Sequence, residues 1–335
     1  MVVSKTNGQR GDRQLPAVDA NVTTRRASLG SLLMLGIASL GWGVSTTLSA
    51  FALRQIGPTD LLAVELVVGG LVIGAAALRA AHRDPARARH GSPGAGSFAT
   101  PDWRAFVVLG LCEPGLTYLL ANEGLRRDSA ATAALLFATE AVIVVPLAAI
   151  FLGERVSSGV LWAIGVGLVG ALVIAGGAHA GRDTLTGHLL ILSSAAAAAA
   201  YALLARRSSH RGPALVVTSY QLLAAIAVAL PFAIVSHIVG GTGAPAVDAA
   251  HWAAAIAAGL AGVALPFLLY NRAIVEVRAT VAAGVLNLVP LVGFVTAIVF
   301  LGDRPTLLEI VGGGLILSSA AWLARSETTA LAAQA

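Results

Sequence analysis

The sequence predicts an all-α integral membrane protein: ten transmembrane helices arranged as two inverted five-helix repeats. Three observations carry this. Of the 335 residues, 57% are hydrophobic and only 12% are charged, with a mean hydropathy of +0.81; a soluble domain carries about 25% charged residues. The apolar residues gather into ten stretches of about 20 residues, the length demanded by a bilayer core about 30 Å thick. The phrase Phe151-Leu152-Gly153-Glu154-Arg155 returns 149 residues later as Phe300-Leu301-Gly302-Asp303-Arg304, each copy closing one apolar stretch and opening the next.

Residues 1–27 are polar and without periodicity, which predicts a disordered cytoplasmic tail. Thr24-Arg25-Arg26-Ala27-Ser28-Leu29 loosely resembles a twin-arginine export signal. The apolar run behind it, however, is longer than a signal h-region, and nine more runs follow. Arg25 and Arg26 therefore read as cytoplasmic anchors of the first helix.

The ten spans read as residues 28–53, 58–78, 103–125, 129–152, 157–178, 185–205, 214–239, 252–271, 279–301 and 305–325. The breaks are short except for 82–101, rich in Arg, Gly and Pro, which predicts a flexible loop. With the N-terminus inside, 17 of the 22 Lys and Arg fall in cytoplasmic segments, and Arg54, Arg126, Arg127, Arg182 and Arg304 fall on the other face. The positive-inside rule then places both termini in the cytoplasm of a multi-pass protein of the cell membrane. The net charge of +5 would suit nucleic acid, but the arginines sit between spans, so the lipid bilayer is the expected partner and nucleic acid is not.

At the offset of 149, Asn122 also matches Asn271 and Gly165 matches Gly314. Five spans per unit force the second unit to enter from the opposite side. The predicted units are 28–180 and 181–325, meeting near 178–183, with a cytoplasmic tail at 326–335. An inverted repeat places a binding site near the midplane between the halves and suits alternating access.

Ionisable groups within spans are costly and mark pathways. Glu113 and Glu140 lie 14 residues before and 13 after the turn at Arg127. At 1.5 Å per residue both fall roughly 20 Å from that turn, at one depth. Facing one another, two carboxylates cannot easily both ionise, so one would hold a proton, which is what a proton-coupled carrier requires. Alternatively one binds a substrate amine, or each simply hydrogen-bonds within the bundle. Glu65 is shallower, and either lines an outward vestibule or pairs with Arg54.

Trp42, between Gly41 and Gly43, is too deep for an interfacial belt; it either walls a cavity, offering cation–π attraction, or packs against its neighbours. Tyr118, Tyr201, Tyr220, Gln221, Tyr270 and Asn287 are further polar groups in or near spans, some of which must face the cavity. Pro114, Pro146, Pro266 and Pro290 each remove a backbone donor at depth, and Pro114 and Pro266 are candidate flexing points. Gly70 and Gly74, and the glycines of the fifth and tenth spans, suit close helix packing or a homodimer contact.

The Glu154-Arg155 and Asp303-Arg304 pairs read as local, each acid meeting the N-terminus of the helix it precedes, with Ser157 and Thr306 as caps. Cys112 is a lone buried thiol. The seven histidines lack metal spacing, no Walker motif is present, and no nucleophile–base set appears, so neither cofactor nor enzyme activity is expected.

The stretch AALLFATEAVIVVPLAAIFLGER, residues 133–155, resembles the EamA repeats of the drug/metabolite transporter superfamily. Trp42 after an apolar run and Pro58 opening the second span fit the first unit, and NLVPLVGFVTAIVFLGDR, residues 287–304, fits the second. The resemblance runs from about Ser28 to Arg325. Two departures stand out: Ala141 follows Glu140 where many members carry Pro, and Glu65 stands near a position that is often Arg. What the resemblance implies is ten helices, a central cavity and export of a small amino-acid-like or drug-like molecule. The alternative reading is a membrane component that does not transport, handling lipid-linked intermediates or serving as an assembly scaffold.

Overall fold

A computed structural model of the chain describes residues 28–83, 103–152, 157–176, 183–208, 213–240, 246–277, 282 and 285–332. The expected N-terminal tail, most of the 82–101 loop, Gly153–Arg155 of the repeated phrase, and the unit boundary at 178–182 lie outside the described residues.

Among the described residues every regular element is helical: α1 (Leu29–Ala52), α2 (Pro58–Arg83), α3 (Trp103–Gly110), α4 (Thr117–Leu125), α5 (Ala130–Phe137), α6 (Thr139–Leu152), α7 (Ser158–Gly176), α8 (Leu185–Ser208), α9 (Ala214–Gly240), α10 (Ala249–Ala258), α11 (Leu265–Ala273), α12 (Leu288–Thr296) and α13 (Leu307–Ala332). Eight stretches are long and apolar enough to cross a membrane, and Leu288–Leu301 and Leu307–Leu323 are shorter apolar helices. The helices start where local chemistry starts them. The Ser28 hydroxyl accepts from Ser31 N–H at 3.1 Å, Ser129 from Thr132 N–H at 3.2 Å and Asp248 from His251 N–H at 3.0 Å, each satisfying a donor that the helix leaves open. Pro58 opens α2, where its missing N–H costs nothing. The last helix carries on to Ala332, past its expected end at 325.

Four of the expected spans are interrupted. A wide π turn, Leu111–Leu116, separates α3 from α4, and another, Gly259–Ala264, separates α10 from α11. A turn at Ala138 separates α5 from α6, and a turn at Asn287, 149 residues on, precedes α12, which itself runs into a π segment, Ala297–Leu301. The two halves thus share their irregularities at the sequence offset. Pro114 and Pro266 sit at interruptions, as expected. Pro146 and Pro290 lie inside α6 and α12 without breaking them.

α1 is lodged against the second half. Ser39 donates to the Val285 carbonyl at 3.2 Å, and the Thr47 and Thr296 hydroxyls meet at 2.6 Å. Gly43 permits this approach: a Cβ there would stand 2.8 Å from the Val289 carbonyl and closer still to Val292. α7 and α13 pack on one another where Gly170 faces Gly312, and Ser319 donates to the Ala163 carbonyl at 2.5 Å. Small residues let these backbones meet where apolar burial offers no drive between helices. Trp162, 77% exposed, and Leu172 and Phe300 cover the outer surface.

Because the helices alternate in direction, the turns sort to two ends. The near end holds the start of α1, where Ser31 donates to Glu276 at 2.5 Å. The far end holds the turns around residues 54–57, 126–129, 183–184, 246–248 and 302–306. There Gln55 and Asp248 exchange two hydrogen bonds, of 3.0 and 2.9 Å.

Candidate functional site

The interrupted helices surround a cavity of about 230 Å3. α1 gives it Trp42, Ser45, Thr46 and Ser49; the third span gives Glu113, Thr117, Tyr118 and Asn122; α6 gives Glu140 and Val144. Tyr201 comes from α8, Tyr270 from α11, and Asn287, Val289 and Pro290 from the ninth span. α13, expected to pack or make a dimer contact, adds Ala320 and Leu323.

Both mid-span acids sit at breaks in their helices. Glu113 has an extended backbone, φ −148° and ψ 126°, inside the wide turn. The Thr117 hydroxyl reaches back to the Cys112 carbonyl at 3.0 Å, so a backbone group loosened by the break keeps a partner. Glu140 falls in the first turn of α6, because the chain has just turned at Ala138. The Thr139 hydroxyl satisfies the Leu136 carbonyl at 2.6 Å. A helix N-terminus in mid-span favours negative charge, and Glu140 is the acid placed there. The Glu113 and Glu140 carboxyls lie within electrostatic reach of one another. The cavity lining contains no Lys, Arg or His among the described residues.

An aromatic wall closes the site. Trp42 makes edge contacts with Phe267 at 5.5 Å and Tyr270 at 5.6 Å between ring centroids. Its buried indole N–H approaches the Tyr118 hydroxyl without reaching hydrogen-bond geometry. That hydroxyl donates to the Gly262 carbonyl at 2.6 Å. Gly262 stands at the repeat position of Glu113, so a first-half tyrosine caps the second-half interruption.

Trp42, Glu113, Glu140, Tyr270 and Asn287 therefore meet at one cavity, together with Tyr118 and Tyr201. Glu65 does not join them, and neither expectation for it holds. It is 1% exposed and accepts from the Ser49 hydroxyl at 2.6 Å and from Asn122 Nδ2 at 3.1 Å. It thus lies behind the wall, holding two residues that line it. Arg54 instead stacks over the Phe51 ring. Gln221 is likewise behind the wall, bonded to Asn271 at 2.9 Å and to the Tyr201 hydroxyl at 3.3 Å.

Sequence reasoning missed Ser45, Thr46 and Ser49. The signal was present: with Trp42 they recur at spacings of three and four, one helix face. It also misplaced Asp303. That carboxylate does not serve the helix it precedes but accepts from Ala131 N–H at 3.0 Å, at the start of α5. Thr306 does cap its own helix, in a reciprocal box with Glu309: the Thr306 N–H donates to Glu309 at 2.6 Å and the Glu309 N–H to Thr306 Oγ1 at 3.3 Å. Ser157 accepts from Val160 N–H at 3.4 Å.

Comparison with known proteins adds to this geometry. A model of the EamA-like transporter family matches residues 29–176 and again residues 185–325. A curated protein of Streptantibioticus cattleyicolor named "Probable terminal-alkyne amino-acid exporter" is 32% identical over 219 residues, which are 64% of this chain and 72% of that protein. A solved crystal structure superposes with a TM-score of 0.57 at 23% identity, over 88% of this chain and 98% of its own. That likeness concerns the fold alone.

Proposed function

Because the chain belongs to the EamA-like transporter family, and is a multi-pass membrane protein of that kind, we propose that it exports a small amphipathic amine, such as an amino-acid-like or drug-like molecule, by proton-coupled alternating access. The supporting observation is the pairing of Glu113 and Glu140 at one cavity wall that has no cationic side chain among its described residues.

In this reading one proton is held between the two carboxyls when the cavity is empty, since like charges that close do not both ionise. An ammonium group entering the cavity replaces the proton, and Trp42, Tyr118, Tyr201 and Tyr270 receive the apolar body and the cation face-on. Either the ammonium or the proton occupies the acids, never both, which is the exchange an antiporter requires. Glu65 acts at one remove, by fixing Ser49 and Asn122. The ten spans form inverted units over 28–180 and 181–325, with both termini in the cytoplasm and the far end outside. The two units rock about the cavity, and the outward-facing Gly165 and Gly314 offer a homodimer contact.

Reconstitution into liposomes carrying an internal pH dye tests this. With an acidic lumen, external alkyne-bearing amino acids, zwitterions that cross a bare bilayer slowly, are expected to drive lumenal alkalinisation in wild-type vesicles beyond that of protein-free vesicles. Glu113→Gln and Glu140→Gln vesicles should show none. Proton movement that persists in both variants would sink the exchange mechanism.

A further inference from the structure

Away from the cavity, the far end contains a set of buried titratable side chains with no role in the exchange described above. Asp128, Asp183, His188 and Glu309 are 4%, 7%, 1% and 3% exposed. They surround the start of α5, whose residues Ala130–Leu136 are all buried. α5 continues into Phe137 and Ala138 at the cavity wall, so it forms the plug between cavity and far end.

The plug is held by carboxylates from two directions. Asp183 Oδ1 accepts from Ser129 N–H at 2.5 Å and its Oδ2 from Thr132 Oγ1 at 2.7 Å. Asp303, from the second half, accepts from Ala131 N–H. The Glu309 carboxyl, also from the second half, lies beside the Asp183 carboxyl. Two buried carboxyls side by side do not readily both ionise. Both Asp183 oxygens already accept, and Glu309 Oε2 accepts from Thr306 N–H. The inventory leaves Glu309 Oε1 open to a proton shared with Asp183.

A second feature points the same way. Neither ring nitrogen of His188 has a hydrogen-bond partner, nor has Asp128 Oδ2, and His188 Nε2 stands 3.7 Å from that oxygen. Asp128 Oδ1 is occupied by Thr184 N–H at 2.8 Å. One proton, carried by Asp128 Oδ2 and donated to Nε2, would close this open pair as a hydrogen bond. The remaining charged group facing the set among the described residues is Arg127, which is exposed and paired with Glu123.

We propose that Glu309 and Asp183, with His188 and Asp128 beside them, form a second proton site, separate from the cavity acids, that clamps α5 to the second half and keeps the far end shut. Removal of the proton puts two buried carboxylates in contact. Their repulsion parts α13 from the start of α5 and frees the plug. The site stands on far-end geometry and is independent of the transport reading.

Hydrogen exchange of the full-length protein in lipid nanodiscs tests it, read at amides 130–136 at pH 6 and pH 8 after correction for intrinsic chemical exchange. An Asp128→Asn background removes that carboxyl's own titration and keeps its bond to Thr184. There, α5 should exchange at least tenfold faster at pH 8. Adding Glu309→Gln, whose amide donates to Asp183 without a titratable proton, should hold α5 slow at both values. Protection in α8 reports folding; should Glu309→Gln not fold, Glu309→Met takes its place, removing the titrating carboxyl while leaving both Asp183 acceptors to α5. Adding Glu113→Gln or Glu140→Gln instead should leave the tenfold ratio intact. Rates within twofold between the two pH values, or a ratio that survives both far-end substitutions, would overturn the proposal. So would loss of the ratio in the cavity variants, which would assign the proton to the cavity.

Discussion

Asn122 donates a 3.1 Å hydrogen bond to Glu65, and 149 residues later Asn271 donates a 2.9 Å hydrogen bond to Gln221. In each half an asparagine near the end of the third helix of the unit holds a polar side chain of the second. The frameworks match while the chemistry differs, an acid in one half and an amide in the other.

Glu65 should therefore act through its partners. Glu65→Ala leaves Ser49 and Asn122 as buried donors without an acceptor, each costing about 1–3 kcal/mol. Thermal unfolding in detergent should show a large loss for Glu65→Ala and a small one for Glu65→Gln, which keeps an acceptor. Equal melting of the two variants would mean that the hydrogen bonds do not hold the wall.

Gly43 sets how closely α1 approaches the second half. Gly43→Ala forces a methyl against the Val289 carbonyl and Val292, and overpacking of this kind costs about 1–3 kcal/mol. Gly36, on the same helix, has nothing within 4 Å of a Cβ built there. Gly36→Ala should melt like wild type and Gly43→Ala below it. A reversed order would misplace α1.

Asp128 gives the far end a pH dependence of known sign. Burial pushes its carboxyl up to about 7, against the opposing effect of the Thr184 N–H. The folded state then holds more protons than the unfolded one between about pH 4 and pH 7. Its contribution to stability is full below that window and is lost as pH rises through it. The melting temperature should fall from pH 5 to pH 8 less steeply in Asp128→Asn than in wild type. Identical slopes would remove Asp128 as a titrating group.

The helices over the apolar stretches and their order along the chain were legible because apolar length survives any detail of packing. Trp42, Glu113, Glu140, Tyr270 and Asn287 came to one cavity for the same reason: each is polar or aromatic at mid-span. The break at Ala138 was not legible, since no proline or glycine marks it, and Pro290, in the first turn of α12 behind the break at Asn287, was read only as a lost backbone donor. Glu65 was misjudged because its partners, Ser49 and Asn122, lie on other helices. The far-end set was invisible for the same reason, as Asp128, Asp183, His188 and Glu309 come from separate segments and each alone reads as a span-end residue.

The most direct test of the central claim compares the compounds released by cells expressing wild type, Glu140→Gln or empty vector, with membrane insertion matched. The account predicts an amine enriched outside with wild type alone. Equal enrichment by wild type and Glu140→Gln would contradict the role given to Glu140, and release indistinguishable from empty vector across amphipathic amines would contradict the export of that class.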